Sequence, residues 1–384
     1  MNRQRTLILG GTLFTMLFGA GNIVLPLILG RTLGEATPIA MIGFIITAVW
    51  LPLLGFTSIM LVKGDYIRFL ESLGKIPAFI VAALCMILLG PVGAIPRCIA
   101  LAHADLSWYF PGMPISIFTI IAALVIGACT FQKSNMMDII GRFLSPVKII
   151  CLLSIAMLGV IVAGEVEQTH HPLISSFSNG FLSGYGTLDL LAVIFFSQFL
   201  YSLMAPEEGL KQKEILKRTL RISLIAGVLM SLVYVCFAGV AVLHGSKIPN
   251  VADDTLLSAL ASVVLGPKAG IFANLTIALT CLTSAIALSA SFADFLSRFV
   301  FRNKISYRIS LFFTIALSAL FANLRFTGIM KAIIPAVSLL YPALVVFSAI
   351  QLFTFLTNRK SSRLPRNLFF ITLGITVLNH VFNL

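Results

Sequence analysis

Charge is scarce in this sequence. Asp, Glu, Lys and Arg make up 11% of the 384 residues, and only 14 side chains are acidic. A soluble domain carries about 25% charged residues, so this chain cannot cover a water-facing surface and no soluble enzyme fits it. No Gly-x-x-x-x-Gly-Lys-Ser/Thr loop occurs, which leaves ATP-driven pumping unsupported. No carboxylate pair or His/Glu metal motif lies inside an apolar run. His103, His170, His171, His244 and His380 all fall near run ends or in loops, so a membrane-embedded enzyme lacks its constellation. His170-His171 has no third ligand nearby and reads as a solvated loop pair. Cysteine is sparse as well. Cys85, Cys98, Cys129, Cys151, Cys236 and Cys281 have no metal-ligand spacing and read as small core residues.

Apolar side chains are plentiful. They form 59% of the chain, and the mean hydropathy is +1.03. About 20 apolar residues cross a hydrocarbon core of roughly 30 Å. Runs of that kind predict spans at 6–30, 37–62, 77–101, 113–132, 141–164, 182–205, 219–243, 266–297, 306–324, 328–356 and 367–383. This is an all-α, polytopic integral membrane protein of about eleven helices. The 266–297 run is long enough to require tilt, and the last run is short. Met1 to Arg5 followed by an apolar run resembles a signal peptide, but the run is long, has no small-residue cleavage site and leads into further spans. It reads as the first helix.

The net charge of +13 is distributed by topology, not gathered into a nucleic-acid surface. With the N-terminus in the cytoplasm, only Arg31, Arg97, Lys247, Lys268, Arg325 and Lys331 fall outside, leaving 21 of the 27 basic residues inside. The bias keeps its sign along the whole chain. No linker exceeds about 20 residues, so the chain reads as one membrane domain, 1–384.

Two spans should break. The first contains Phe18-Gly19-Ala20-Gly21-Asn22 and then Pro26. Glycines and a helix-weak Asn ahead of a proline favour unwinding, though close helix packing of the small-xxx-small kind is the other reading. The sixth opens with Gly184-Tyr185-Gly186-Thr187-Leu188-Asp189 and runs to Phe195-Phe196-Ser197. Irregular spans five apart are expected of two five-helix repeats of inverted topology, here about 6–164 and 182–356 with an extra helix at 367–383. In the eighth span Thr280, Thr283 and Ser284 share one helical face. Such hydroxyls suit a small hard cation, or simply bond back to their own helix. Arg97 and Asp189 sit at similar depth and could pair, as an outer gate or as simple charge neutralisation.

These segments resemble the branched-chain amino acid:cation symporter family, bacterial carriers of leucine, isoleucine and valine. Leu17 to Pro26 is similar to that family's Phe-Gly-Ala-Gly-Asn-x-x-x-Pro segment. Gly43-Phe44 through Leu51-Pro52-Leu53-Leu54-Gly55, Gly90-Pro91 through Pro96-Arg97, Gly184 to Asp189, and Cys281-Leu282-Thr283-Ser284 resemble its later segments in order. The resemblance implies a LeuT-like 5+5 inverted repeat, no resident cofactor, and import of an aliphatic amino acid with Na⁺ or H⁺ by alternating access. It places the substrate at Phe18, Gly19, Ala20, Gly21, Asn22, Phe195, Phe196 and Ser197. Na⁺ would be held by Thr15, Phe18, Thr280, Thr283 and Ser284, with Arg97 and Asp189 as gate or proton site. The bilayer is the bacterial cytoplasmic (inner) membrane, with no nucleic-acid partner. Another neutral amino acid, or a channel, is the rival reading. Three departures stand out: eleven spans where the family has twelve, Ser197 in place of Gly, and Ser284 in place of Thr.

Overall fold

The computed structural model describes residues 3–131, 154, 157, 171–204, 211–248, 250–357 and 363–382. The expected fifth span, 141–164, lies outside them, as do Lys133, Arg142, Lys148, Glu165, Glu167, His170, Arg359 and Lys360. All regular structure among the described residues is helical. Six segments among them are long and apolar enough to cross a membrane: Ala20–Met60, Lys75–Ser107, Leu173–Met204, Gln212–Lys247, Asn274–Val300 and Arg325–Leu356. Ile115–Thr130 and Tyr307–Ala322 are shorter apolar helices. The first segment holds half of the expected span one and all of span two, joined by the tight turn Gly34–Ala36.

The first expected span is two helices, α1 (Arg3–Leu17) and α2 (Ala20–Leu33). They are interrupted at Phe18-Gly19, where the Asn22 side chain accepts the Gly19 N–H at 3.0 Å. Span two is α3 (Thr37–Ile45), a π turn at Ile46–Trp50, and α4 (Leu51–Met60). After the short α5 (Tyr66–Glu71), span three is also divided, into α6 (Lys75–Leu89) and α7 (Ala94–Ser107). Gly90 and Gly93 flank that break, and Pro91 has no N–H for the helical ladder. The sequence pattern showed one continuous run there. Span four is α8 (Ile115–Thr130).

Span six is α9 (Leu173–Tyr185) and α10 (Asp189–Met204). Leu188 turns between them with φ 66°. The expected start at Leu182 was nine residues late, because Ser175, Ser176, Ser178 and Asn179 make the first turns look like a loop. Ser176 is in fact fully buried. Asp189 therefore lies 16 residues beyond Leu173, about 24 Å along the helical path, well inside the span.

The remaining helices are α11 (Gln212–His244), α12 (Leu256–Phe295), α13 (Tyr307–Ala322), α14 (Arg325–Leu356) and α15 (Arg363–Phe382). α12 is bent at Gly266, whose φ of 80° and ψ of 164° are non-helical. The bend separates a short N-terminal piece from the expected eighth span. The expected last run is a regular helix, α15, packed along α14.

Large apolar side chains face outward, Leu124 and Phe312 among them at 69% exposure. Such a surface suits lipid and not water. Inside, α3 lies against α9, α7 against α12, and α2 against α11. The α3–α9 seam is main chain on main chain. A Cβ on Gly180 would collide with the Ala40 backbone, and one on Gly184 with Thr47. Thr47 Oγ1 donates to the Phe181 carbonyl at 2.8 Å, and Tyr341 OH donates to the Thr47 carbonyl at 2.8 Å.

Candidate functional site

The breaks of spans one, three and six converge. Asn22, on the first turn of α2, joins two of them. Its Nδ2 donates to Asp189 Oδ2 at 2.7 Å and bonds the Tyr234 hydroxyl, which itself donates to Asp189 Oδ2 at 3.4 Å. All three residues are buried. The carboxylate also begins α10, where the helix N-terminus favours negative charge.

Arg97, 2% exposed on α7, joins the other side. Its Nη1 donates to the Gly186 carbonyl at 2.5 Å and its Nη2 to the Thr187 carbonyl at 3.3 Å. These are the carbonyls released by the turn in span six. The expected Arg97–Asp189 pair is not formed: among the described residues neither takes part in an ion pair. The guanidinium instead satisfies backbone acceptors at the broken helix, while the carboxylate is met by neutral donors. Arg97 also lies flat against span one, where a Cβ on Gly21 would stand 2.9 Å from its guanidinium carbon.

Between these groups is a cavity of about 30 Å³, room for roughly two waters. Gly19, Ala20, Asn22, Arg97, Asp189, Phe196 and Ser284 line it, together with Thr187, Ala192 and Cys98. The structure thus gathers one part of the residues singled out in the sequence. The others sit elsewhere. Gly21 backs the cavity through Arg97. The Phe18 ring is stacked between Phe14 and Tyr234, at 5.1 and 5.8 Å. Phe195 packs on Tyr66 at 4.8 Å and on Phe295. Ser197 turns its hydroxyl back to the Val193 carbonyl.

The hydroxyl face of α12 divides in the same way. Thr283 Oγ1 donates to the Thr280 carbonyl at 2.9 Å, the back-bonding expected of helical Thr. Among the described residues Thr280 Oγ1 and Ser284 Oγ are buried without a partner. Two orphaned hydroxyl oxygens of this kind fit a hard cation, which takes oxygen ligands. Thr15, whose Oγ1 donates to the Gly11 carbonyl at 2.8 Å, stands in the last turn of α1 beside the break. Among the described residues no cluster of His, Cys, Asp and Glu could hold a metal.

Tyr234 and Thr187 were missed from the sequence. Tyr234 sits in an unbroken apolar run, and its only signal was a hydroxyl with no local acceptor. Thr187 was visible within the glycine-rich turn, but its contribution is a carbonyl, which side-chain chemistry does not announce.

The fold matches solved structures of transporters. The structure superposes on Mhp1, a nucleobase-cation-symport-1 family transporter in a closed conformation with bromovinylhydantoin bound, with a TM-score of 0.64, 12% identity and coverage of 98% of this chain and 91% of that one. It also superposes on MhsT in complex with L-phenylalanine, with a TM-score of 0.60, 13% identity and 98% of each chain. Both likenesses show the LeuT-like fold. In sequence, a Staphylococcus aureus protein named as a branched-chain amino acid carrier is 31% identical over 412 residues, covering 99% of this chain and 89% of the relative. A Staphylococcus epidermidis protein of the same description is 28% identical, over 95% and 86%. The family model for branched-chain amino acid transport proteins matches residues 2–383. A multi-pass membrane protein whose broken helices converge, this chain belongs to the branched-chain amino acid transport protein family, and it is a transporter and not an enzyme.

Proposed function

We propose that the protein is a secondary symporter that imports leucine, isoleucine and valine with a coupling cation by alternating access, and that the convergence of broken helices holds the substrate. The observation that carries this reading is that one small cavity is lined by both a buried cation and a buried carboxyl. Arg97, whose Nε has no partner among the described residues, suits a substrate carboxylate. Asp189 suits an ammonium group. Phe196, Leu17 and Leu288 supply the apolar wall for an aliphatic side chain. The cavity has to widen for the substrate to enter, and the turns at Gly19 and Leu188 are the joints that allow it.

Na⁺ is the coupling ion of this proposal, held by Thr280 and Ser284 oxygens with carbonyls at the end of α1 near Thr15 and Phe18; Thr283 contributes less, since its hydroxyl is already bonded. The N-terminus faces the cytoplasm, in the bacterial cytoplasmic membrane. The chain is one domain with repeats about 6–164 and 182–356. A second reading is proton coupling through Asp189, favoured by its complete burial beside neutral partners.

Uptake of labelled leucine into proteoliposomes, with Na⁺ and H⁺ gradients imposed separately, tests the scheme. Leucine, isoleucine and valine should compete with one another, because one methylene is worth only ~1–3 kcal/mol in an apolar pocket. Uptake driven by H⁺ and indifferent to Na⁺ replaces the ion site by Asp189. Preference for glutamate or lysine removes the substrate assignment.

A further inference from the structure

A second buried carboxylate stands apart from this site. Asp105, in the last turn of α7, is 0% exposed. Its Oδ1 accepts the Ser258 hydroxyl, while its Oδ2 is buried with no partner among the described residues. Asn274 of α12 donates to the Asp105 main-chain carbonyl at 3.4 Å, and its own side-chain oxygen is likewise buried and without a partner among them. Two orphaned acceptors therefore stand on facing helices whose side chains meet. Asp105 forms no ion pair among the described residues. An isolated ionised carboxylate removed from water without a counter-charge takes up a proton instead, and a protonated Asp supplies the donor that two acceptors need.

The partners of Asp105 lie on both sides of a hinge. Ser258 is on the piece of α12 before Gly266 and Asn274 on the piece after it. Gly266 adopts φ 80°, and no atom of the described residues comes within 4 Å of the position of a Cβ. Leu256, Leu257, Leu260 and Ala261 of the first piece are buried. Beside Asp105 on the same face, Trp108 Nε1 donates to Ser262 Oγ at 3.1 Å, and the Tyr109 hydroxyl lies 3.3 Å from it.

We propose that Asp105 is a proton-binding site whose bound proton latches the hinged segment 256–265 onto the end of α7. With the proton on, the carboxyl donates from one oxygen and accepts from Ser258 with the other, and the segment stays closed. With the proton lost, the buried anion has no compensating charge, and release of the segment lets water reach it.

The charged groups around this latch are few. Asp254 stands on the turn Asp253–Thr255 packed against α7, and burial pushes its carboxyl above the ordinary value. Asp253 of that turn is paired with Arg31. His103 on α7 and Arg325 at the start of α14 face Asp254. Lys268 follows the hinge in sequence.

Infrared spectroscopy of the full chain in lipid vesicles at neutral pH reads the proton directly. The wild type should show a protonated-carboxyl stretch that Asp105→Asn removes and Asp189→Asn leaves. Ser258→Ala should shift that stretch, having removed the donor to Oδ1; this variant keeps the test alive if Asp105→Asn folds poorly. Loss of no band in Asp105→Asn, or no shift in Ser258→Ala, overturns the site. Hydrogen exchange of the amides of 256–265 reads the latch. At about pH 6 wild type and Asp105→Asn should exchange alike, and at about pH 9 the wild type should exchange on the order of fivefold faster. Equal rates at both pH values overturn the latch. Neither measurement uses substrate or a coupling ion, so its failure leaves the proposed transport function untouched.

Discussion

Replacing Gly21 by Val puts a branched side chain where the Arg97 guanidinium lies. The first added carbon alone would stand 2.9 Å from three guanidinium atoms. A long side chain normally swings away from such a contact, but this one is 2% exposed and fastened to the Gly186 and Thr187 carbonyls. Displacement breaks hydrogen bonds from a charged donor, worth ~1.5–3 kcal/mol each. Against this, Val gains roughly 0.5 kcal/mol over Gly in helix propensity. With one bond lost outright and the other weakened, the net cost to the substrate-ready arrangement is about 3 kcal/mol, on the order of a hundredfold in affinity. Equilibrium binding of labelled leucine to purified protein measures it, with size-exclusion profiles to verify folding. Gly19→Ala is the matched control. Its Cβ meets nothing nearer than Asn22 Oδ1 at 3.7 Å, an ordinary contact, so it should bind far better than Gly21→Val. A Gly21→Val protein binding within about threefold of wild type, or a Gly19→Ala protein equally damaged, refutes the placement of Arg97 as the spacer between the broken helices.

Thr280→Val and Ser284→Ala each remove an unpartnered hydroxyl and should raise the Na⁺ concentration for half-maximal uptake by about tenfold, since losing one oxygen ligand of a hard cation costs on the order of 1.4 kcal/mol. Thr283→Ala, whose hydroxyl already bonds the Thr280 carbonyl, should raise it less, and a Na⁺ titration in proteoliposomes ranks the three. In intact cells, a membrane-impermeant thiol reagent should reach a cysteine at Asp253 and not one at Arg302; the reverse pattern inverts the topology. Tyr234→Phe should weaken leucine binding severalfold by withdrawing a donor from Asp189, about 1 kcal/mol for one hydrogen bond, and an unchanged affinity removes Tyr234 from the site.

The helical layout was legible because lipid enforces it: a span must be apolar for its full length, and broken spans carry glycine where bare amides meet a cavity. That is why Gly19 to Asn22 and Gly184 to Asp189 stood out. The start of α9 was not legible because Ser175, Ser178 and Asn179 give its first turns the composition of a loop, so Asp189 lies farther into the span than a start at Leu182 implies. Asp105 was overlooked for a related reason: flanked by His103, Ser107 and Trp108, it has the composition of an interface, and it is tertiary packing against α12 that buries it. The pairing of Arg97 with carbonyls was beyond reach of any sequence pattern, since released carbonyls belong to conformation and not to residue type. Phe195 and Ser197 were grouped with Phe196 by adjacency, whereas neighbouring positions on a helix point about 100° apart.

The seam between α3 and α9 has an evolutionary consequence. In most helix contacts a larger residue on one side can be accommodated by a smaller one opposite, and lineages drift through such exchanges. At Gly180 the facing atoms belong to the Ala40 main chain, and at Gly43 to the main chain of Phe177 and Phe181. No substitution opposite can shrink a backbone. These positions are therefore closed to compensated change. Among the described residues Gly374 has nothing within 4 Å of a Cβ and Gly127 meets the tip of Ile315 at 3.6 Å, so both are open to it. A saturation library under selection for uptake should separate the two groups of glycines, even though all four lie in helices of the same membrane domain.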